Sequence, residues 1–438
     1  MQKAFPTLAK DNLLREERDA MFVYVLNQHS EPLMPCSPRK ARVLLKQNKA
    51  KVVNRTPFTI QLLYGSSGYK QEISLGVDAG TKHIGLSATT HNRVLYEAEV
   101  LLRTDIQDLF ATRREFRRAR RHRKTRYRQP RFDNRRRKGG WLPPSIQNKV
   151  DAHLKVIGQV AKILPITRIT VEVAQFDTQL LKNPEISGVA YQQGAQMGFW
   201  NVREYVLYRD HHTCQWCQGK SGDKILNVHH RESRKTGGDA PDNLVTLCET
   251  CHHKIHREGL EDRVQRKTAS LRDATQMTVL RWFVYHGIKA EYPQAKLTYG
   301  YITKNTRIQH KLEKSHMADA RCISGHPDAA LSEQTYLIKQ VRGQNRQLHK
   351  ATILKGGMRK ANKAPRFLFG YQLFDKVRYN NQECFVFGRR ASGYFDLRLL
   401  DGTKISAGVS YKKLTLIERA STLLIQTTKG GSGVSSSA

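Results

Sequence analysis

Acidic residues are scarce: 38 Asp and Glu stand against 75 Lys and Arg in 438 residues, leaving a formal charge of +37. A chain so short of carboxylates needs a polyanion as partner. A membrane surface could satisfy it, but no apolar run is long enough to span a bilayer and no lipidation signal is present, so nucleic acid is the expected partner. Cysteine is sparse as well, with seven residues, an odd number, four of them in two CxxC pairs. That is the arrangement of a metal site in a reducing compartment, so a secreted disulfide scaffold is excluded and the cytoplasm is the expected location. Residues 1–20 lack the apolar centre of a signal peptide and are expected to form a loose leader. No internal repeat is visible, and 39% hydrophobic residues over this length provide for two or more cores.

Residues 21–70 predict strand, helix and strands: "FVYVLN", then "SPRKARVLLKQNKAKVV" with Ser37 as N-cap and Pro38 at the first helical position, then the alternating "PFTIQLLY". "PLMP" (32–35) lies between the first two. Alternation over 73–100, with turn residues near Gly80 and His91-Asn92, predicts a three-stranded meander. The composition then changes abruptly. Residues 113–138 carry fifteen Lys or Arg against one Glu and one Asp, with Phe116, Tyr127 and Phe132 interleaved. Such a run can be a solvated face, but the preference for Arg and the interleaved rings suit phosphate forks and base stacking. The expected nucleic-acid contacts are Arg113, Arg114, Arg117, Arg118, Arg120, Arg121, Arg123, Lys124, Arg126, Arg128, Arg131, Arg135, Arg136 and Arg137.

Beyond this run, 148–164 has helical spacing and 168–177 reads as a buried strand carrying one acid, Glu172. A polar helix is expected over 262–286, a short strand at "IKAEY" (288–292) and a helix over 311–325. Residues 367–418 alternate, with turns at Asn380-Asn381, Ser392-Gly393 and Asp401-Gly402, and predict a small antiparallel β-barrel. The terminal "GGSGVSSSA" reads as a flexible tail.

Chemistry concentrates between Val228 and His256, where "VHHRESRKTGGDAPDNLVTLCETCHHKIH" holds five histidines, one asparagine and two cysteines. Cys214, Cys217, Cys248 and Cys251 offer four thiolates for one structural Zn2+. A closed four-cysteine site leaves the histidines without a task. A His-His pair after "ILNV", an Asn thirteen residues past His230 and a His beyond the last Cys resemble the HNH, or ββα-metal, nucleases. By that resemblance His230 is the general base, Asn243 fixes the loop behind it, and His229 with His252 holds one Mg2+. Many members of that family carry Asp where this chain has His229. His253 and His256 are expected to be bystanders or phosphate contacts.

A second centre is scattered along the chain. Asp78 ends the first meander strand in "GVDAGTKHIG", Glu172 lies mid-strand in "TVEVAQ", and Asp319 follows His316 by three residues in "SHMADA". Each acid alone reads as a cap or salt-bridge partner. In the order strand-Asp, strand-Glu, helix-His-x-x-Asp they resemble the RNase H-like RuvC site, in which carboxylates hold two Mg2+ and His316 helps to deprotonate water.

A RuvC site interrupted first by an arginine-rich helix and then by an HNH domain resembles IscB, the transposon-encoded, RNA-guided nuclease family related to type II CRISPR effectors. "PLMP" is similar to the N-terminal signature of that family. The resemblance runs from about Met21 to Gly325. It implies an α/β multidomain fold: an N-terminal domain (21–70), RuvC segments (71–104, 141–203, 261–330), a bridge helix (105–140), the HNH domain (204–260), a basic linker (331–366), the barrel (367–420) and a tail (421–438). It implies a long structured guide RNA and target double-stranded DNA as partners, one monomer per RNA, with HNH cutting the guide-paired strand and RuvC the displaced one. Arg389, Arg390 and Arg398 of the barrel are candidates for reading a target-flanking motif, against an ordinary role as solvated charge. Two rival readings stand beside this one: an RNA-independent junction- or site-specific endonuclease, and a catalytically inert RNA-binding scaffold.

Overall fold

A computed structural model describes residues 21–66, 68–121, 141–173, 201–232, 241–264, 272–344, 349–354 and 359–429. The expected leader, the cationic residues from Arg123 to Arg137 and the last nine residues of the expected tail lie outside the described residues. The chain divides into two units, 1–174 with 277–438, and 175–276. No helix among the described residues is long and apolar enough to cross a membrane.

The first unit opens with β1 (Val23–Leu26), β2 (Pro32–Cys36), α1 (Pro38–Lys46), β3 (Ala50–Asn54) and β4 (Thr59–Leu62), whose strands form a sheet in the order β2-β1-β4-β3. Ser37 caps α1, its hydroxyl accepting from Lys40 N at 3.4 Å. The "PLMP" stretch is itself the edge strand β2, where prolines remove no hydrogen bond that an inner strand would require. Next come β5 (Ser74–Ala79), β6 (His83–Thr89), β7 (Val94–Leu101), α2 (Ile106–Arg121), α3 (Pro144–Ala161) and β8 (Arg168–Val173). β5 to β7 make the expected antiparallel meander, and β8 adds to β5 in parallel.

The second unit holds α4 (Val202–Arg209), β9 (Leu226–His230), β10 (Leu244–Cys248) and α5 (Glu249–Glu258). Beyond it the chain re-enters the first unit with α6 (Arg272–Glu291), β11 (Lys296–Tyr299), α7 (Gly300–Gln309), α8 (His316–Ser324) and β12 (Gln334–Gln340). It finishes with β13 (His349–Ile353), β14 (Arg359–Ala361), β15 (Lys376–Tyr379), β16 (Gln382–Arg389), β17 (Tyr394–Arg398), β18 (Lys404–Ser410), β19 (Thr415–Glu418) and β20 (Leu423–Lys429).

A mixed seven-stranded sheet, β11-β8-β5-β6-β7-β12-β20, is the frame of the first unit. Its core joins Leu75, Val77, Ile84 and Leu86 of the meander to Val156, Ile157 and Val160 of α3 and Leu280, Val284 and Ile288 of α6. Each such side chain withdrawn from water contributes about 1.5–3 kcal/mol. The i, i+4, i+8 spacing of the α6 residues also explains why the expected strand at 288–292 does not form. Helical burial continues through Ile288, and the strand begins only at Lys296.

Three further expectations are corrected. The helix expected over 311–325 starts at His316, where Ser315 caps it by accepting from Ala318 N at 3.1 Å, and the preceding helix α7 was not anticipated. β12 and β20 belong to the large sheet, so 334–340 of the expected basic linker and 423–429 of the expected tail are sheet strands. The C-terminal strands form an open five-stranded sheet, β18-β17-β16-β15-β19, and among the described residues its edge strands do not pair to close a barrel. The predicted turns do occur: Asn380 and Asn381 take φ of 46° and 61°, which fits the two-residue hairpin between β15 and β16, and Gly393 and Gly402 are also left-handed.

Candidate active site and metal centres

Asp78, next to last in β5, pairs across the ladder with Gly85 of β6. Helix α8 lies on these two strands without intervening side chains. A Cβ at Gly76 would stand 1.9 Å from Ala320 O, and one at Gly85 would stand 1.9 Å from His316 O. Only hydrogens at both positions let the helix backbone come so close, and that approach delivers His316 Nδ1 to 2.7 Å from Asp78 Oδ2. Gly85→Ala is therefore expected to destabilise this unit by about 1–3 kcal/mol through overpacking against backbone that cannot yield cheaply. Gly158→Ala, on a helix with nothing within 4 Å, is expected to be neutral or stabilising. Calorimetry on the two variants tests the pair, and equal melting temperatures would contradict it.

Around this contact the charges interlock. Arg281 of α6 places Nη1 2.7 Å from Glu172 Oε1 and Nη2 3.5 Å from Asp78 Oδ1, while its Nε donates to Ala79 O at 2.7 Å. Asp319 Oδ1 lies 2.9 Å from Arg307 Nε, an ion pair without hydrogen-bond alignment. His83 stacks on His316 with ring centres 5.1 Å apart and a 9° interplanar angle, and its Nδ1 lies 2.8 Å from Glu99. Burial raises the Glu172 carboxyl above its ordinary value, with Asp78 and Asp319 adding and Arg281 opposing. Burial and Asp78 likewise raise Asp319, against Arg307. The hydrogen bond to Asp78 raises the His316 imidazole, against its own partial burial.

All four residues expected for this centre thus lie within electrostatic reach of one another. The structure adds Arg281, Arg307, His83 and Glu99, which the sequence did not single out. Only Arg281 left a trace there, as a cation directly after Leu280 on a face otherwise spaced for burial. Asp78, Glu172 and Asp319 offer donors of the kind that suits hard divalent cations, carboxylate oxygens from two strands and a helix.

In the second unit β9 and β10 pair antiparallel, and α5 starts directly from β10. The Sγ atoms of Cys214, Cys217, Cys248 and Cys251 all lie within 4.8 Å of one another, with Cys217 and Cys248 3.9 Å apart. Four converging thiols fit a tetrahedral zinc site. Cys217 is pulled down to about 6, first by its hydrogen bond with Ser221. His229, His252 and His256 form a second cluster whose ring nitrogens also lie within 4.8 Å of one another. His256 therefore sits with the two expected ligands and not apart from them, one helical turn after His252. The Mg2+ expected here does not match this donor set, because three imidazoles suit a borderline ion such as zinc better than a hard one.

His230 ends β9 opposite Leu244, and the chain after it is tied to Asn243. The fully buried Asn243 side chain accepts from Glu232 N at 2.9 Å and donates to Glu232 O at 3.1 Å, while Asn243 O accepts from Arg231 N at 2.8 Å. Asn243 thereby bonds through both its side chain and its backbone to the residues that follow His230. Arg209 reinforces it from α4 by donating to Pro241 O and Leu244 O at 2.7 and 2.9 Å.

Helix α2 carries Arg113, Arg114, Arg117 and Arg118 exposed to solvent, and its backbone continues through Arg120 and Arg121. Phe116, expected to stack on bases, instead lies under the Arg359 guanidinium at 3.8 Å. Among the candidate arginines of the C-terminal sheet, Arg389 is spent on the carbonyls of Arg366 and Tyr371, and Arg398 pairs with Asp396 at 2.7 Å. Arg390 is exposed.

Residues 23–194 match the family described as RRXRR protein, a span that includes "RRARR" at 117–121, and residues 214–258 match the HNH endonuclease family. The second unit therefore carries an HNH endonuclease domain. No curated protein matches the chain. Among solved structures, Streptococcus thermophilus Cas9 in complex with the GGAA PAM aligns at 11% identity and a TM-score of 0.34, over 49% of this chain and 30% of that one. The Type II-C Cas9 enzyme from Actinomyces naeslundii aligns at 12% identity and a TM-score of 0.23, over 58% of this chain and 60% of that one.

Proposed function

We propose that this protein is an RNA-guided DNA endonuclease of the IscB kind, with an RNase H-like RuvC centre at Asp78, Glu172, His316 and Asp319 and an HNH centre at His230. The observation that carries this reading is the convergence of three carboxylates and His316, from β5, β8 and α8, in one unit, while the chain between β8 and β11 matches the HNH endonuclease family over residues 214–258. One centre of each kind suits a duplex whose two strands must be cut separately. The +37 charge and the arginine helix suit a large bound RNA, held mainly through phosphates.

Magnesium held by Asp78, Glu172 and Asp319, and a borderline divalent cation held by His229, His252 and His256, would polarise the phosphodiester and balance charge developing on it. The residues of the chain do the rest. His230 takes the proton of the attacking water in the HNH centre, with its loop held by Asn243. His316 takes the corresponding proton in the RuvC centre, its ring oriented by Asp78 and flanked by His83. Arg113, Arg114, Arg117 and Arg118 present a cationic face to the RNA backbone.

The test is biochemical. Protein purified from cells carrying its own locus is expected to bring down one discrete long RNA, and its magnesium-dependent cutting of plasmid is expected to cease after RNase treatment. Cutting that survives RNase would favour a site-specific endonuclease instead. A bound RNA without any cutting would favour a scaffold.

A further inference from the structure

Arg281 is an unusual neighbour for a set of carboxylates meant to hold cations. Its side chain is 7% exposed, and those of Asp78 and Glu172 are 9% exposed. Burying a guanidinium is costly unless its charge and its donors are both matched, and here they are. Its helix cannot swing away easily, since Leu280, Val284 and Ile288 are locked in the core and Gly287 packs against Leu154. The bond from Nε to Ala79 O anchors one edge of the fork, leaving Nη1 and Nη2 aimed at Glu172 and Asp78. Other cations nearby are directed elsewhere: Arg307 faces Asp319, and His316 takes the opposite oxygen of Asp78. His153, fully buried on α3 with Nδ1 2.7 Å from Lys149 O, is held neutral by burial, which brings it down to about 4. A divalent cation drawn to the same two carboxylates would meet a fixed positive charge within a few ångströms, and like charges so placed in a partly dry site repel strongly.

We infer that Arg281 is a built-in counter-ion of the acidic centre, one that competes with divalent cations for Glu172 and Asp78 and yields its Glu172 contact when they bind. It is a positioning residue: it keeps the two carboxylates facing one another and sets how much cation is needed to load the site. The inference rests on the reading of Asp78, Glu172 and Asp319 as metal ligands.

Manganese(II) titrated into the full-length protein with its bound RNA, with the free ion followed by electron paramagnetic resonance, tests both levels. Asp78→Asn is expected to abolish one class of manganese site. Arg281→Gln is expected to bind manganese at that class at least about tenfold more tightly than the parent, with Arg281→Lys in between. In EDTA, Arg281→Gln is expected to melt about 5 °C or more below the parent, because it leaves buried carboxylates unpaired, and manganese is expected to recover most of that loss. Unchanged or weaker manganese binding in Arg281→Gln, or a melting loss that manganese does not recover, would overturn the inference. Should the Gln variant fail to fold, the Lys variant decides, since tighter binding supports competition and unchanged binding refutes it. If Asp78→Asn leaves manganese binding intact, the metal-site reading itself fails. If Asp78→Asn removes the site while both Arg281 variants bind like the parent, only the counter-ion role fails.

Discussion

His230→Ala is expected to yield an enzyme that cuts only the displaced strand, and Asp78→Ala one that cuts only the guide-paired strand. On the proposed mechanism the first change removes the imidazole that would accept a proton from the attacking water, a loss of about 10²–10⁴-fold at that centre. The second removes the carboxylate that contacts both His316 and Arg281, so that one acid loss unties two partners at once. A centre that can neither orient its base nor balance phosphate charge is expected to lose at least about 10³-fold. The two centres lie in separate units, and no residue is shared between them. The double variant should therefore retain RNA and target while cutting neither strand. Strand-specific end labels read all three outcomes in one gel. Loss of both cuts from either single change, with normal RNA loading, would mean that the centres work as one.

Loss of zinc is expected to be the largest structural effect. Cys248 closes β10 opposite Leu226 and is the residue from which α5 departs, and Cys251 lies in the first turn of that helix. The same helix carries His252 and His256, so a zinc held by the thiolates would fix the proposed histidine ligands in place as well as the fold. Structural zinc in small domains is worth about 10–16 kcal/mol, more than the whole stability of many domains. Cys214→Ser combined with Cys248→Ser should abolish bound zinc and the guide-paired cut while the displaced-strand cut persists. Elemental analysis should find about one structural zinc in the parent, and a second equivalent if the three-histidine cluster also takes that ion. A parent free of zinc would contradict the assignment.

Much of the chemistry was legible because it is carried by residue types at fixed spacing. Two CxxC pairs, a His-His pair with a later Asn, and a His-x-x-Asp turn remain visible whatever surrounds them. His256 was misjudged for want of a geometric criterion: its place one turn after His252 matters only once His229 is known to face that side of α5. What was missed depends on long-range packing. Gly76 and Gly85 look like ordinary strand glycines until α8 is laid across them. Arg281 and Arg307 sit 203 and 12 residues in sequence from the acids they pair with, Asp78 and Asp319, and no local pattern signals either partner. The C-terminal hairpins were evident from Asn-Asn and Gly turns, yet alternation specifies strands and faces and not whether the last edge closes on the first. β12 and β20 were lost in the same way, since a strand ladder between residues 334–340 and 423–429 leaves no mark in either segment alone.

The measurement that bears most directly on the central claim is guide exchange. The protein is loaded with its own RNA scaffold carrying a new guide sequence and offered two plasmids that share the flanking sequence and differ only in the segment to be paired. Cutting is predicted to follow the guide, moving from the first plasmid to the second when the guide is changed, with both strands cut in the paired segment. Cutting that stays at one site whatever the guide, or that proceeds without RNA, would contradict it.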